Sequence, residues 1–145
     1  MLNNGQRRRF VKAILVRGAE TDETRADLSR ELGIKQSAVL VSAAFAAAAS
    51  RVFTEESSPE EITAYAHRLA VANDGAGVKT TVVEALIRAQ FGEAELAAEL
   101  PFEDMVPHEI LVANDIVGSL QLDDLGLRQF ADEVLALADQ YDVTP

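Results

Sequence analysis

The apolar positions of this chain recur at helical spacing along nearly its whole length. Over about 5–17, Phe10, Ala13 and Ile14 fall on one stripe, with Asn4 as an N-cap and Gly18 as a stop. A second helix is predicted over about 22–32, where Leu28 and Leu32 stand four apart ahead of Gly33. The third, over about 36–53, sets Val39, Leu40, Val41, Phe45, Val52 and Phe53 among alanines and has no charged side chain before Arg51. A helix apolar on all sides is one that others pack around, so this segment is expected at the centre.

Helix starts are marked as clearly as the stripes. In "SSPEEI", Ser58 stands at an N-cap, Pro59 at the first helical position and Glu61 three after the cap. Serine oxygen and glutamate carboxylate each accept from an orphan backbone N–H, and proline has none to satisfy. That helix runs to about 73 and buries Ile62, Tyr65, Ala66 and Leu69. "TVVE" at 81–84 opens, or lies in the first turn of, a helix carrying Val83, Ile87 and Phe91 that stops at Gly92, and another is predicted from about Pro107 to Leu120. The last, over 124–141, places Leu127, Phe130, Val134, Leu137 and Tyr141 at steps of three and four, a two-heptad seam suited to packing or self-association. "FVKAILV" is the one strand candidate, and it fits a helix equally. The expectation is an all-α single domain over 1–145, a bundle of six to seven helices around the alanine-rich one.

Composition narrows the function classes. With no cysteine, disulfides, thiolate catalysis and cysteine-bound zinc are excluded. The most apolar run, "AVLVSAAFAAAA", is too short to span a bilayer, and no secretory signal follows "MLNNGQRRRF", so a cytoplasmic protein without membrane contact is expected. The net charge of −11 is unevenly placed: residues 1–51 carry +4 and the remainder −15. The basic end therefore meets something anionic, either nucleic acid or the acidic half of this chain or a second copy.

Two stretches share letters, "HRLAVANDGAG" at 67–77 and "HEILVANDIVG" at 108–118, and they hold the two histidines. On a helical wheel His67 and Asp74 share the side away from Ile62, and His108 and Asp115 share the side away from Ile110, Ala113 and Val117. A spacing of seven rises about 10.5 Å along a helix, too far for one ion, where helical zinc pairs use a spacing of four. The repeat is therefore expected to be structural, with "AND" ending the first helix and lying on a wet face of the second. Neither a nucleophile elbow nor a phosphate-binding glycine loop occurs, and no cofactor is expected.

The segment "TRADLSRELGIKQSAVLVSAAF" at 24–45 resembles a helix-turn-helix. Leu28 and Leu32 correspond to the packing positions of its first helix, small Ser29 to the close approach, Gly33 to the turn, and Ile34 and Val39 to the packing positions of the second. The resemblance implies DNA contact by Lys35, Gln36 and Ser37 at the start of the second helix, with Arg7, Arg8, Arg9 and Lys12 on the phosphate backbone. Such helix pairs also serve packing alone. "LPFEDMVP" at 100–107 reads as a linker whose Phe102 and Met105 either dock a partner or fold back over the core.

Three functional readings follow. The first is a non-enzymatic protein that acts by protein–protein interaction, regulatory or scaffolding, as a homodimer through the Leu127–Tyr141 seam or the alanine-rich helix, with a further protein partner unidentified. The alternative is a helix-turn-helix transcriptional regulator using the basic first third. The last is a metal-dependent enzyme using His67 and His108.

Overall fold

The computed structural model describes residues 4–16 and 19–141. Among them the chain is all-helical, in eight helices: α1 (Asn4–Leu15), α2 (Ala19–Leu32), α3 (Ile34–Ala49), α4 (Pro59–Ala72), α5 (Thr80–Gln90), α6 (Glu95–Ala98), α7 (Phe102–Leu120) and α8 (Asp124–Tyr141). The count exceeds the expected six to seven because α6 is a single turn, too short to show a periodicity.

The alanine-rich α3 is central, as its uniform apolarity requires. Leu40, Val41, Phe45 and the alanines from Ala43 to Ala49 are buried, and α7, α8, α1 and α2 all pack on it. Alanine has the highest helix propensity, and its single methyl lets neighbouring helices approach closely. Gly33 separates α2 from α3 with one residue at φ 84°, a conformation that costs glycine little and other residues more. α4 and α5 form a hairpin whose α5 packs against α7. Its start is the expected cap: Ser58 Oγ accepts from the Glu61 N–H at 3.1 Å, with Pro59 at the first helical position. At the far end, Asp123 Oδ1 accepts from the Gly126 N–H at 2.7 Å and holds the first turn of α8.

Two expectations about α7 need correction. It begins at Phe102, five residues ahead of Pro107, so "LPFEDMVP" is mostly helix and not linker. Glu103 and Asp104 in its first turn favour that start, and Pro107 forfeits a single backbone bond. The second "AND" is not on a wet face, since Ala113 and Asn114 are buried and Asp115 is half-buried, and His108 is buried as well, only 7% exposed. The histidine stands four and eight residues before Val112 and Ile116, both fully buried, so it lies on the edge of the buried face, where the backbone N–H of Lys79 meets it.

Candidate functional site

The repeated "VAND" stretches do different work in the two places. In the first, Asn73 ends α4, its side-chain amide donating to the Leu69 carbonyl at 2.9 Å, while His67 and Asp74 are exposed. In the second, Asn114 is buried and its amide donates to the Ile14 carbonyl near the end of α1. Asp115, half-buried, accepts from the Tyr65 hydroxyl at 2.8 Å, and burial together with that carboxylate raises the Tyr65 phenol above its ordinary range. His108 Nε2 accepts from the Lys79 backbone N–H at 3.1 Å, so Nδ1 carries the proton and donates to the Asp104 carbonyl at 2.7 Å. Both ring nitrogens are thus engaged, Nε2 joining α7 to the start of α5 and Nδ1 bonding back to the first turn of α7 itself. Among the described residues, no group of His, Asp and Glu side chains is placed to hold a metal ion.

The basic end meets the acidic half of its own chain. Arg7 pairs with Asp139 and Arg8 with Asp132, each at 2.8 Å, and Arg51 reaches Glu133 at 2.6 Å while lying over the Phe130 ring. All three carboxylates stand on α8. Of the residues that the helix-turn-helix resemblance points to, Lys35, Gln36 and Arg9 are exposed and Lys12 is half-buried. Ser37 is buried, with its hydroxyl bonded to Ser29 at 3.2 Å. Beyond Ser37 the second helix continues into the centre of the bundle, where α7 and α8 lie against it. A recognition helix needs a free face to enter a groove. Here only the first turn of α3 has one.

The seam of α8 is likewise spent inside the fold. Phe130 and Val134 are buried, Leu127 and Leu137 pack on the core, and Tyr141 is partly exposed. Its partners are α3 and α1 of the same chain.

The packing of these helices leaves open a cleft of about 300 Å³ between the start of α3 and the start of α7. One wall is Ile34, Ala38 and Val41, spaced to share a face of α3, joined by Ala26 and Ser29 of α2. The other is Phe102, Val106 and Ile110, stacked four apart along α7, and Phe10 lies at its base. Ile34 is 80% exposed and Phe102 62%, so each rim carries a large apolar side chain in water. The serine hydroxyls in the cleft, Ser29 and Ser37, bond to each other, so the surface makes no polar demand on an occupant. Single exposed apolar residues are ordinary, whereas two flanking one apolar cleft form a contiguous patch of the kind that receives a partner.

Within "LPFEDMVP", Phe102 faces solvent at this cleft, and Met105 packs on the core. The helix-turn-helix resemblance sets Ile34 at a packing position. It stands instead at the rim, because the one-residue turn at Gly33 leaves the first turn of α3 uncovered. A second feature escapes the apolar pattern altogether. Glu109, on α7, is only 6% exposed, and burial pushes its carboxyl up to about 7 against the opposing hydrogen bond from Ser42. Its signal is present in the sequence, since it stands three, four and seven residues before Val112, Ala113 and Ile116 on the buried face.

No helix among the described residues is long and apolar enough to cross a membrane. No protein-family model matches the chain, and no curated protein or solved structure matches it either.

Proposed function

We propose that this chain acts by binding protein, in a regulatory or scaffolding role without chemistry of its own, and that the cleft between α3 and α7 is where it binds. The observation that carries the reading is the pair of exposed rim residues, Ile34 and Phe102, beside a cavity lined by apolar side chains. The occupant is a second copy of the chain. The surface holds both a protruding aromatic side chain and a hollow to receive one, which makes it self-complementary, as a two-fold interface requires.

The charges flanking the rims support the same pairing. Exposed Lys35 follows Ile34 on one wall, and exposed Glu103 follows Phe102 on the other. A two-fold axis along the cleft sets the α3 wall of one copy against the α7 wall of its partner. Lys35 then faces Glu103 twice, and each Phe102 enters the opposite cleft. This puts the dimer face on the first turns of α3 and α7, away from the α8 seam.

Sedimentation equilibrium of the wild type with Phe102→Asp and Ile34→Asp tests the proposal. Both substitutions are at exposed positions and leave the core intact, so each variant should keep the helical circular dichroism of the wild type. The expected result is a concentration-dependent dimer for the wild type and monomers for the variants. A wild type that stays monomeric at millimolar concentration overturns the reading, and so does a dimer indifferent to both changes.

A further inference from the structure

A second cleft, of about 250 Å³, lies on another side of the same two helices and carries a different chemistry. Ser42 and Phe45 of α3, Gln90 of α5, Met105 and Glu109 of α7 and Tyr141 of α8 line it. At its wall is the Glu109 carboxylate, more than nine-tenths buried. One oxygen, Oε2, accepts from the Ser42 hydroxyl at 3.2 Å. Among the described residues no lysine, arginine or histidine pairs with this carboxyl.

That arrangement is costly in a free protein. Removing a carboxylate from water without a counter-charge is among the most unfavourable placements a side chain can have, and natural folds relieve it with a cation or by holding a proton. The described groups around Glu109 supply no cation. α3 presents the Ser42 hydroxyl, α5 the Gln90 amide, and the short α6 presents Ala97 with Ala94 just before it. α8 presents Tyr141, hydrogen-bonded to Gln90, whose own phenol is raised by burial and by the nearby Glu109 charge. The remaining surface is apolar and includes Phe45 and Met105. A site with one buried anionic end, hydroxyl and amide groups near it and an aromatic and thioether wall is matched by a molecule with a cationic head and a short apolar body. Its size lies at the low end of small-molecule sites, which limits that body to one ring or a short chain.

We propose that this cleft binds a small organic ammonium ion, its charged nitrogen on the Glu109 carboxylate and its apolar part against Phe45 and Met105. The cation supplies the counter-charge that the described residues leave out. Because an ammonium ion binds the ionised carboxylate, affinity falls by about tenfold per pH unit once Glu109 takes up its proton, below about pH 7.

The test uses the full chain and amide-detected NMR, with benzylammonium and n-butylammonium as probes and with benzyl alcohol and benzoate as neutral and anionic controls. At about pH 8 the expected result is saturable shifts at Ser42, Gln90 and Glu109 with the ammonium ions only. Glu109→Gln keeps the shape, removes the charge and relieves the burial cost, so it folds; in it, ammonium affinity should drop at least about tenfold. The proposal is overturned if neither ammonium ion produces saturable shifts there, if Glu109→Gln binds as the wild type does, or if benzyl alcohol binds as tightly as benzylammonium. The last outcome would mean an apolar hole without charge recognition. The self-association test reads a different face, so either proposal can fail alone.

Discussion

Replacing Glu109 with glutamine also separates the stability of this fold from the charge buried in it. In the unfolded chain this carboxyl titrates at its ordinary value of 4.5, whereas in the fold burial holds it at about 7. Across that window the folded state keeps a proton that the unfolded state has released. Wild-type stability therefore falls as pH rises from about 4.5 to about 7, and the full penalty remains above it. A displacement of that size corresponds to about 3 kcal/mol. A glutamine amide has no proton to lose, so the stability of Glu109→Gln lacks this slope. Urea unfolding of both proteins at several pH values isolates the effect, since every other titrating group is shared. Below about pH 4.5 the two should be equally stable; at about pH 8 the variant should be more stable by up to about 3 kcal/mol, or about 10 °C in Tm. Equal denaturant midpoints at pH 8 would refute the claim that Glu109 is a buried carboxyl without a counter-charge.

The remaining predictions concern contacts that hold the bundle together. Tyr65→Phe removes the hydroxyl that Asp115 accepts from and should cost about 1 kcal/mol in urea unfolding; no loss would show that water replaces it. A double-mutant cycle on Arg8 and Asp132, both reached by solvent, should give a coupling below about 1 kcal/mol that shrinks with added salt. Gln121, the described non-glycine residue with positive φ, ends α7 at φ 51°, so Gln121→Gly should raise stability by about 0.5–1 kcal/mol, read as a higher urea midpoint.

Much of the architecture is legible because it rests on local signals. The bounds of α8 follow from its three-four stepping, the start of α4 from Ser58, Pro59 and Glu61, and the centrality of α3 from its lack of any charge between Gln36 and Ser50. The errors arise where one segment covers another at long range. His108 shares a row with fully buried Val112 and Ile116, and the backbone of Lys79, from another part of the chain, bonds to it there; the half-buried Ile110 does not mark the centre of the packed face. The α8 stripe is equally compatible with packing and with dimerisation, and only the position of α1 and α3 decides that it is filled from within. Ile34 illustrates the converse: a residue at an apparent packing position is left in water by the abrupt turn at Gly33. For the proposed interface the chain offers only fragments, Phe102 in one stretch and Ile34 in another, and the cleft exists only once α7 lies beside α3. Glu109 is readable from its register with Val112 and Ile116, but the lack of a counter-charge among the described residues depends on what α3, α5, α6 and α8 bring to it.

Whether two copies meet through the α3–α7 cleft can be read most directly from isotope-filtered NOE spectroscopy. The sample is an equal mixture of fully labelled and unlabelled chain at millimolar concentration, so that cross-peaks arise only between copies. The expected cross-peaks run from the Phe102 ring of one copy to the methyl groups of Val41, Val106 and Ile110 of the other. Intermolecular contacts confined to α8, or none at all in a concentrated sample, would contradict the proposed interface.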